Sequence, residues 1–243
     1  MGRQIRVPAA VLAASLLLAA AGCTSNGTDG AGGADPGASP PPARAGSPSA
    51  GDGKAGGGET LPGVADVGAA RAQLAGLTVA PVGTMAGYSR SGFTHWAEQG
   101  GTCNTREAVL QRDGTDVVQD AGCRAVSGRW RSLYDGVVVT DASTMDIDHV
   151  VPLAEGWRSG AAAWDAPRRR AFANDLALPQ LLAVTAASNR SKGDQSPDLW
   201  QPPDRSSWCL YGRAWTTVKS AYGLTVTEAE KKMLTTMLDT CAA

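Results

Sequence analysis

Apolar and polar positions divide the chain into three parts. The first is a continuous apolar run, Val7 to Ala21, preceded by Arg3 and Arg6 and too short to span a bilayer comfortably, as in a secretory leader. From Thr24 to about Pro62 the apolar pattern vanishes, and Gly, Ala, Ser, Pro and Asp dominate. A segment of that kind buries too little surface to offset its conformational entropy, so a disordered tether is expected. Periodicity returns at about Leu61. The expected boundaries are a leader over 1–22, a tether over 23–62 and a folded domain over 63–243.

Within the domain, Val64, Val67, Leu74 and Leu77 recur at near-helical spacing, and Thr105 to Gln111 predicts a second helix around Val109 and Leu110. Arg124 to Thr140 reads as extended, with Gly128 and Asp135-Gly136 as turns and Val137-Val138-Val139 as a buried strand. Residues 146–151 predict another strand, Pro152 opens a helix, and Arg168 to Ala173 forms a further one. After Leu181-Leu182-Ala183-Val184, Thr185 reads as an N-cap and Gly193 as a helix stop. Near the C-terminus, Trp208, Tyr211, Trp215, Val218 and Tyr222 share a helix that starts at Ser206 or Ser207 and ends at Gly223. Thr227 to Glu230 is a capping box for a last helix carrying Met233, Leu234, Met237, Leu238 and Cys241. So short a connection makes the two helices antiparallel.

That hairpin changes the reading of the cysteines. Apart from Cys23 there are four, Cys103, Cys123, Cys209 and Cys241, an even number that fits two disulfides in an exported chain. Three pairings are open. Proximity in sequence favours Cys103 with Cys123 and Cys209 with Cys241, and the antiparallel helices place Cys209 beside Cys241. A four-cysteine zinc site is disfavoured because no C-x-x-C pair exists. At the leader's end, Ala20-Ala21-Gly22-Cys23 resembles a bacterial lipobox, which implies a diacylated Cys23 and a chain anchored to the outer face of the cell membrane by lipid alone. An ordinary signal peptide cut at an Ala-x-Ala site is the alternative.

Charge excludes a broad basic surface. The whole chain carries a formal net charge of −1. Without residues 1–22, which hold two arginines and no acid, 20 basic residues face 23 acidic ones. Any nucleic-acid contact is therefore local, or transient as in an enzyme.

Candidate chemistry is sparse. The chain has 2 histidines, His95 and His149, too few for a multi-histidine zinc hydrolase. His95, between Thr94 and Trp96, reads as a residue packed at the domain edge. His149 lies in Asp146-Ile147-Asp148-His149-Val150-Val151-Pro152, beside two carboxylates. An imidazole takes a proton from water, and a carboxylate binds a hard cation, so the pair suits phosphodiester hydrolysis. In a flat strand Asp148 and His149 diverge while Asp146 aligns with Asp148, so the strand must end or twist there, and Asp146 stands as a reserve ligand. Asn174 closes a predicted helix, and Asn189 sits on the helix after Thr185. Arg168-Arg169-Arg170 reads as a solvated helix end, the seven tryptophans as core and cap residues, and Arg106-Glu107 and Arg112-Asp113 as structural ion pairs around the first disulfide.

Asp148-His149-Val150-Val151-Pro152, then Asn174, then Ser188-Asn189-Arg190-Ser191-Lys192-Gly193-Asp194 resembles the HNH endonucleases, in the branch related to the C-terminal domain of GmrSD-type restriction enzymes. The resemblance implies an α+β fold with a ββα-metal core, carrying additional helices and the disulfide-tied C-terminal hairpin. It implies His149 as general base, Asp148 and Asn189 as ligands of one divalent metal, Mg²⁺ or Mn²⁺, and Asn174 holding the loop that carries His149. Arg190 and Lys192 would meet the substrate phosphate. The expected partner is nucleic acid, DNA before RNA, acted on by a monomer. Two other readings stand beside it, a binding lipoprotein on the same scaffold and a hydrolase of another envelope phosphodiester.

Overall fold

The computed structural model describes residues 61–242. The leader, Cys23 with its expected acylation, and the tether as far as Thr60 lie outside the described residues. Helix α1 (Val67–Gly76) starts at Asp66, whose carboxylate accepts from the Ala69 N–H at 2.7 Å. Strands β1 (Glu98–Gly100) and β2 (Cys103–Asn104) form a small hairpin that leads into α2 (Thr105–Asp113). An antiparallel sheet follows, in the order β3 (Gly114–Gln119), β4 (Ala125–Arg131), β5 (Val138–Val139). Then come β6 (Met145–His149), α3 (Leu153–Arg158), α4 (Ala166–Ala173), β7 (Leu181–Thr185) and α5 (Ala186–Lys192). Helices α6 (Trp208–Tyr222) and α7 (Glu228–Leu238) close the fold. Among the described residues no helix is long and apolar enough to cross a membrane.

Two apolar clusters explain why β6 and β7 lie where they do. The larger gathers Phe93, Tyr134, Phe172, Tyr211 and Trp215; the smaller gathers Val109, Leu110 and Trp130. Strands β6 and β7 pair antiparallel from Met145 opposite Thr185 to His149 opposite Leu181. Their side chains alternate between the clusters, with Met145, Ile147, Leu181 and Ala183 in the smaller and Leu182 and Val184 in the larger. A strand covered on both faces is apolar throughout, and all five residues of β7 are buried. The ion pairs of α2 belong to this arrangement. Arg112 donates to the Leu181 carbonyl at 2.6 Å and Asp113 accepts from the Ala183 N–H at 2.8 Å, so they satisfy the backbone of β7 on its free side.

Several expectations need correction. Val137 and Val138 are exposed, because β5 is a two-residue edge strand paired only with β4. Strand β6 stops at His149, two residues short of the expected end, where Val150 and Val151 turn towards Gln180. Strand β3 was absent from the sequence reading; its half-exposed face gives little alternation. The arginine run on α4 is not simply solvated. Arg168 lies over the Trp164 ring at 4.5 Å and donates to the Tyr222 carbonyl at 2.8 Å, and Arg169 donates to the carbonyls of Gly92 and Trp164.

The C-terminal hairpin follows its local code. Gly223 adopts φ 63°, and Thr227 and Glu230 make both bonds of the capping box. Cys209 pairs with Cys241 at a Cα separation of 4.9 Å, and Cys103 with Cys123 at 5.1 Å. These bridges point to an oxidising, extracytoplasmic compartment. Serine at both Cys209 and Cys241 is expected to lower stability by about 3–4 kcal/mol from restored chain entropy alone. Urea unfolding measures it; a loss below about 1 kcal/mol would mean that helix packing, not the bridge, fixes the ends.

Candidate active site

The segment β6–β7–α5 brings most of the sequence-predicted residues to one cleft of about 420 Å³, lined by Asp148, His149, Asn189 and Arg190 together with Arg90 and Asp194. The expected divergence of Asp148 and His149 is resolved because His149 is the last residue of β6, so both line the cleft.

His149 is buried, and its ring stacks on Trp96 at 5.8 Å between centroids with an interplanar angle of 25°. Its Nε2 lies 2.9 Å from the Ala173 carbonyl. A carbonyl only accepts, so Nε2 carries the proton and Nδ1 is left with the lone pair. Burial is the main reason its pKa falls to about 3; the bond to Ala173 opposes this, and the charges of Arg90 and Lys192 add to it. The ring is therefore neutral at ordinary pH.

Asp148 is 5 % exposed, and both of its hydrogen bonds fall on Oδ2, from Tyr134 Oη at 2.5 Å and Lys192 Nζ at 2.7 Å. Burial raises its pKa, against the pull of Lys192, and burial lowers that of Lys192 against the pull of Asp148. Lys192 itself is 0 % exposed, and its ammonium also donates to the His149 carbonyl at 2.9 Å. Lys192, expected to meet substrate phosphate, is thus engaged with Asp148 and the His149 carbonyl. Ser188 and Lys192, one turn apart, share the inward face of α5, and the ammonium is sealed beneath the cleft. Arg190 lies on the exposed side of the same helix and lines the cleft.

Asn189 donates from Nδ2 to Asp146 Oδ2 at 3.0 Å, which leaves its amide oxygen as an acceptor. Asp146 thus orients Asn189. Asn174 caps α4, but its side chain does not reach the segment bearing His149. Its Oδ1 accepts from Ala97 N at 2.8 Å and Thr105 Oγ1 at 2.7 Å, and its Nδ2 donates to the carbonyls of Thr94 and Arg170. It fixes the 94–105 segment, which carries Trp96, while the neighbouring Ala173 carbonyl holds His149. His95 stays half-buried with Nδ1 3.1 Å from the Phe93 carbonyl, in line with an edge position.

Some participants escaped the sequence reading. Tyr134 and Trp96 hold Asp148 and His149 from segments with no motif of their own. Asp135 ties the start of α5, accepting from Ser188 Oγ at 2.7 Å and from Thr185 Oγ1. Arg158 donates to Asp194 Oδ2 at 2.6 Å and to Glu155 Oε2 at 3.1 Å, which secures the rim of the cleft to α3. The Glu–x–x–Arg spacing of Glu155 and Arg158 on a helix was the available signal.

Together these features define a small α+β domain in which a strand end, a returning strand and a short helix gather a neutral imidazole, a carboxylate and an amide around one cleft. Residues 104–237 match the family described as GmrSD restriction endonucleases, C-terminal domain, and the chain belongs to that family. It is also 56 % identical over 182 residues, 75 % of this chain and 89 % of the relative, to an "Uncharacterized secreted protein" of Arthroderma benhamiae. No solved structure matches.

Proposed function

We propose that the chain is a metal-dependent endonuclease that hydrolyses phosphodiester bonds in nucleic acid, DNA before RNA, with β6–β7–α5 as an HNH ββα-metal core. The observation that carries this reading is the 2.9 Å contact between His149 Nε2 and the Ala173 carbonyl, which assigns the tautomer. With Nε2–H committed to the Ala173 carbonyl, Nδ1 is the free acceptor of a neutral ring in the cleft that Asp148 also lines. His149 Nδ1 takes the proton of the attacking water, and the bond to Ala173 with the Trp96 stack keeps the ring in place during the transfer. Membership in a restriction-endonuclease family and the exported character of the relative support a nuclease acting outside the cytoplasm.

The donor set fits a hard cation. Asp148 keeps Oδ1 outside its hydrogen bonds, and Asn189 is turned so that its amide oxygen is unengaged. Among the described residues no three His, Cys, Asp or Glu side chains gather to hold a metal. Two oxygen donors with solvent and phosphate completing the shell suit Mg²⁺ or Mn²⁺ better than zinc. Bound there, the metal would stabilise charge on the phosphate and on the leaving oxygen. Acylation at Cys23, with the tether over 23–62, would hold this monomeric domain at the outer membrane face.

The test is cleavage of plasmid DNA and of single-stranded RNA by the disulfide-intact chain with Mg²⁺, with Mn²⁺ and with chelator. Nicking that needs metal is expected. A folded, metal-loaded chain that leaves both substrates whole would sink the reading.

A further inference from the structure

Most arginines of the domain have structural duties. Arg71, Arg106, Arg112, Arg124 and Arg158 pair with carboxylates, Arg168, Arg169 and Arg213 bond carbonyls, and Arg205 stacks on Trp208. Among the described residues four arginine side chains, those of Arg90, Arg129, Arg170 and Arg190, have no hydrogen bond, ion pair or ring contact. Two of the four, Arg90 and Arg190, line the cleft of Asp148 and His149.

The two carboxylates that line that cleft are already paired. Asp148 is matched by Lys192 at 2.7 Å and Asp194 by Arg158 at 2.6 Å. Arg90 and Arg190 make no ion pair, although the charge of Arg90 is felt at Asp148, in a chain whose formal net charge is −1. Two guanidinium groups without ion pairs, side by side in one cleft of an otherwise acidic molecule, mark a site for an anion. Arg90 is held for that task by its backbone. It opens a 3-10 turn, Arg90–Gly92, whose carbonyl accepts from the Phe93 N–H at 3.1 Å. On either side the chain is anchored by aromatic rings, Tyr88 against Trp157 at 5.8 Å and Phe93 against Phe172 at 6.2 Å. The side chain is exposed while the backbone that carries it is held.

We infer that Arg90, which lies outside the family match over 104–237, binds the substrate's phosphodiester backbone together with Arg190 and takes the part first expected of Lys192. The inference rests on reading the cleft as a phosphodiester site. Planar guanidinium groups hold phosphate through two parallel N–H bonds, which a lysine does not reproduce.

The experiment measures binding rather than cleavage, so that its failure is separable from failure of the nuclease reading. A fluorescent 12-nucleotide single strand and a 12-base-pair duplex are titrated in chelator, at several salt concentrations, against the whole chain and three variants. Arg90→Gln is expected to weaken binding about tenfold and to reduce the slope of log affinity against log salt by about one. Arg90→Lys should keep the slope and recover part of the affinity. Arg129→Gln, an exposed and equally unpaired arginine on β4 outside the cleft, should change neither. Wild-type affinity and slope in Arg90→Gln would overturn the inference, and so would an equal loss in Arg129→Gln. A wild-type chain that binds neither oligonucleotide would overturn it as well, whatever the cleavage assay shows.

Discussion

His149→Gln is expected to abolish cleavage as completely as His149→Ala, a loss of about 10²–10⁴-fold, while keeping more of the fold. The two substitutions separate chemistry from structure. Alanine removes the base, but it also removes the donor to the Ala173 carbonyl and the ring that stacks on Trp96. A buried carbonyl left without a partner costs about 1–3 kcal/mol, so a loss of activity in that variant alone would be ambiguous. Glutamine can offer an amide N–H to the same carbonyl, yet it has no group that accepts a proton from water. If His149 is only a structural residue, glutamine rescues cleavage; if it is the base, glutamine is as inactive as alanine. Stability against pH gives a second readout. The histidine of the unfolded chain takes up a proton near 6.5, the folded one only near 3. The folded pKa is the lower one, so this contribution is present above about 6.5 and is lost as pH falls towards 3. Wild type should lose stability relative to His149→Gln over that window, and a constant difference would refute the shift.

The contrast between Arg190 and Lys192 shows how far the sequence carries. Both sit on a short helix after an N-cap, and both look like solvated cations. The strand–strand–helix order was legible because β7 is a short apolar run, Thr185 is a good N-cap and Gly193, at φ 56°, stops the helix. Which face of α5 turns inward was not legible. It is set by Asp148 and Tyr134, from segments 44 and 58 positions away, and they draw the Lys192 ammonium beneath the cleft. The terminal hairpin was largely legible, since helical period, C-cap glycine and capping box are local signals, but the last helix stops at Leu238 and Cys241, expected on it, lies beyond its end. Arg90 and Trp96 were not, because neither has a motif and each reaches the site only through tertiary packing. Asn174 is an intermediate case. Its place at a helix end follows from local sequence, whereas its partners at Thr94, Ala97 and Thr105 follow from the fold.

The same reasoning makes Lys219 a residue on which stability depends strongly. Its side chain is 0 % exposed in the last turn of α6, and Nζ lies 2.9 Å from Glu155 Oε1, 3.0 Å from Glu230 Oε1 and 2.8 Å from the Thr225 carbonyl. Glu230 is also held by Trp215 Nε1 at 2.6 Å, and burial already pushes its pKa up. Lys219→Met preserves length and apolar stem but strips the cation from two buried carboxylates at once. A loss of about 3–5 kcal/mol is expected in urea unfolding. The penalty comes mainly from Glu230, left without a cation while Glu155 keeps Arg158, not from a missing attraction alone. Lys219→Met combined with Glu155→Gln and Glu230→Gln should therefore recover much of the loss. Effects that simply add would show instead that methionine packs badly at this position. The loss should also reach the cleft, because Glu155 holds Arg158 at 3.1 Å and Arg158 holds Asp194 at 2.6 Å. Hydrogen exchange in Lys219→Met should quicken at 193–195 as well as in α6 and α7. Protection unchanged at 193–195 would mean that the rim is secured without the buried charges.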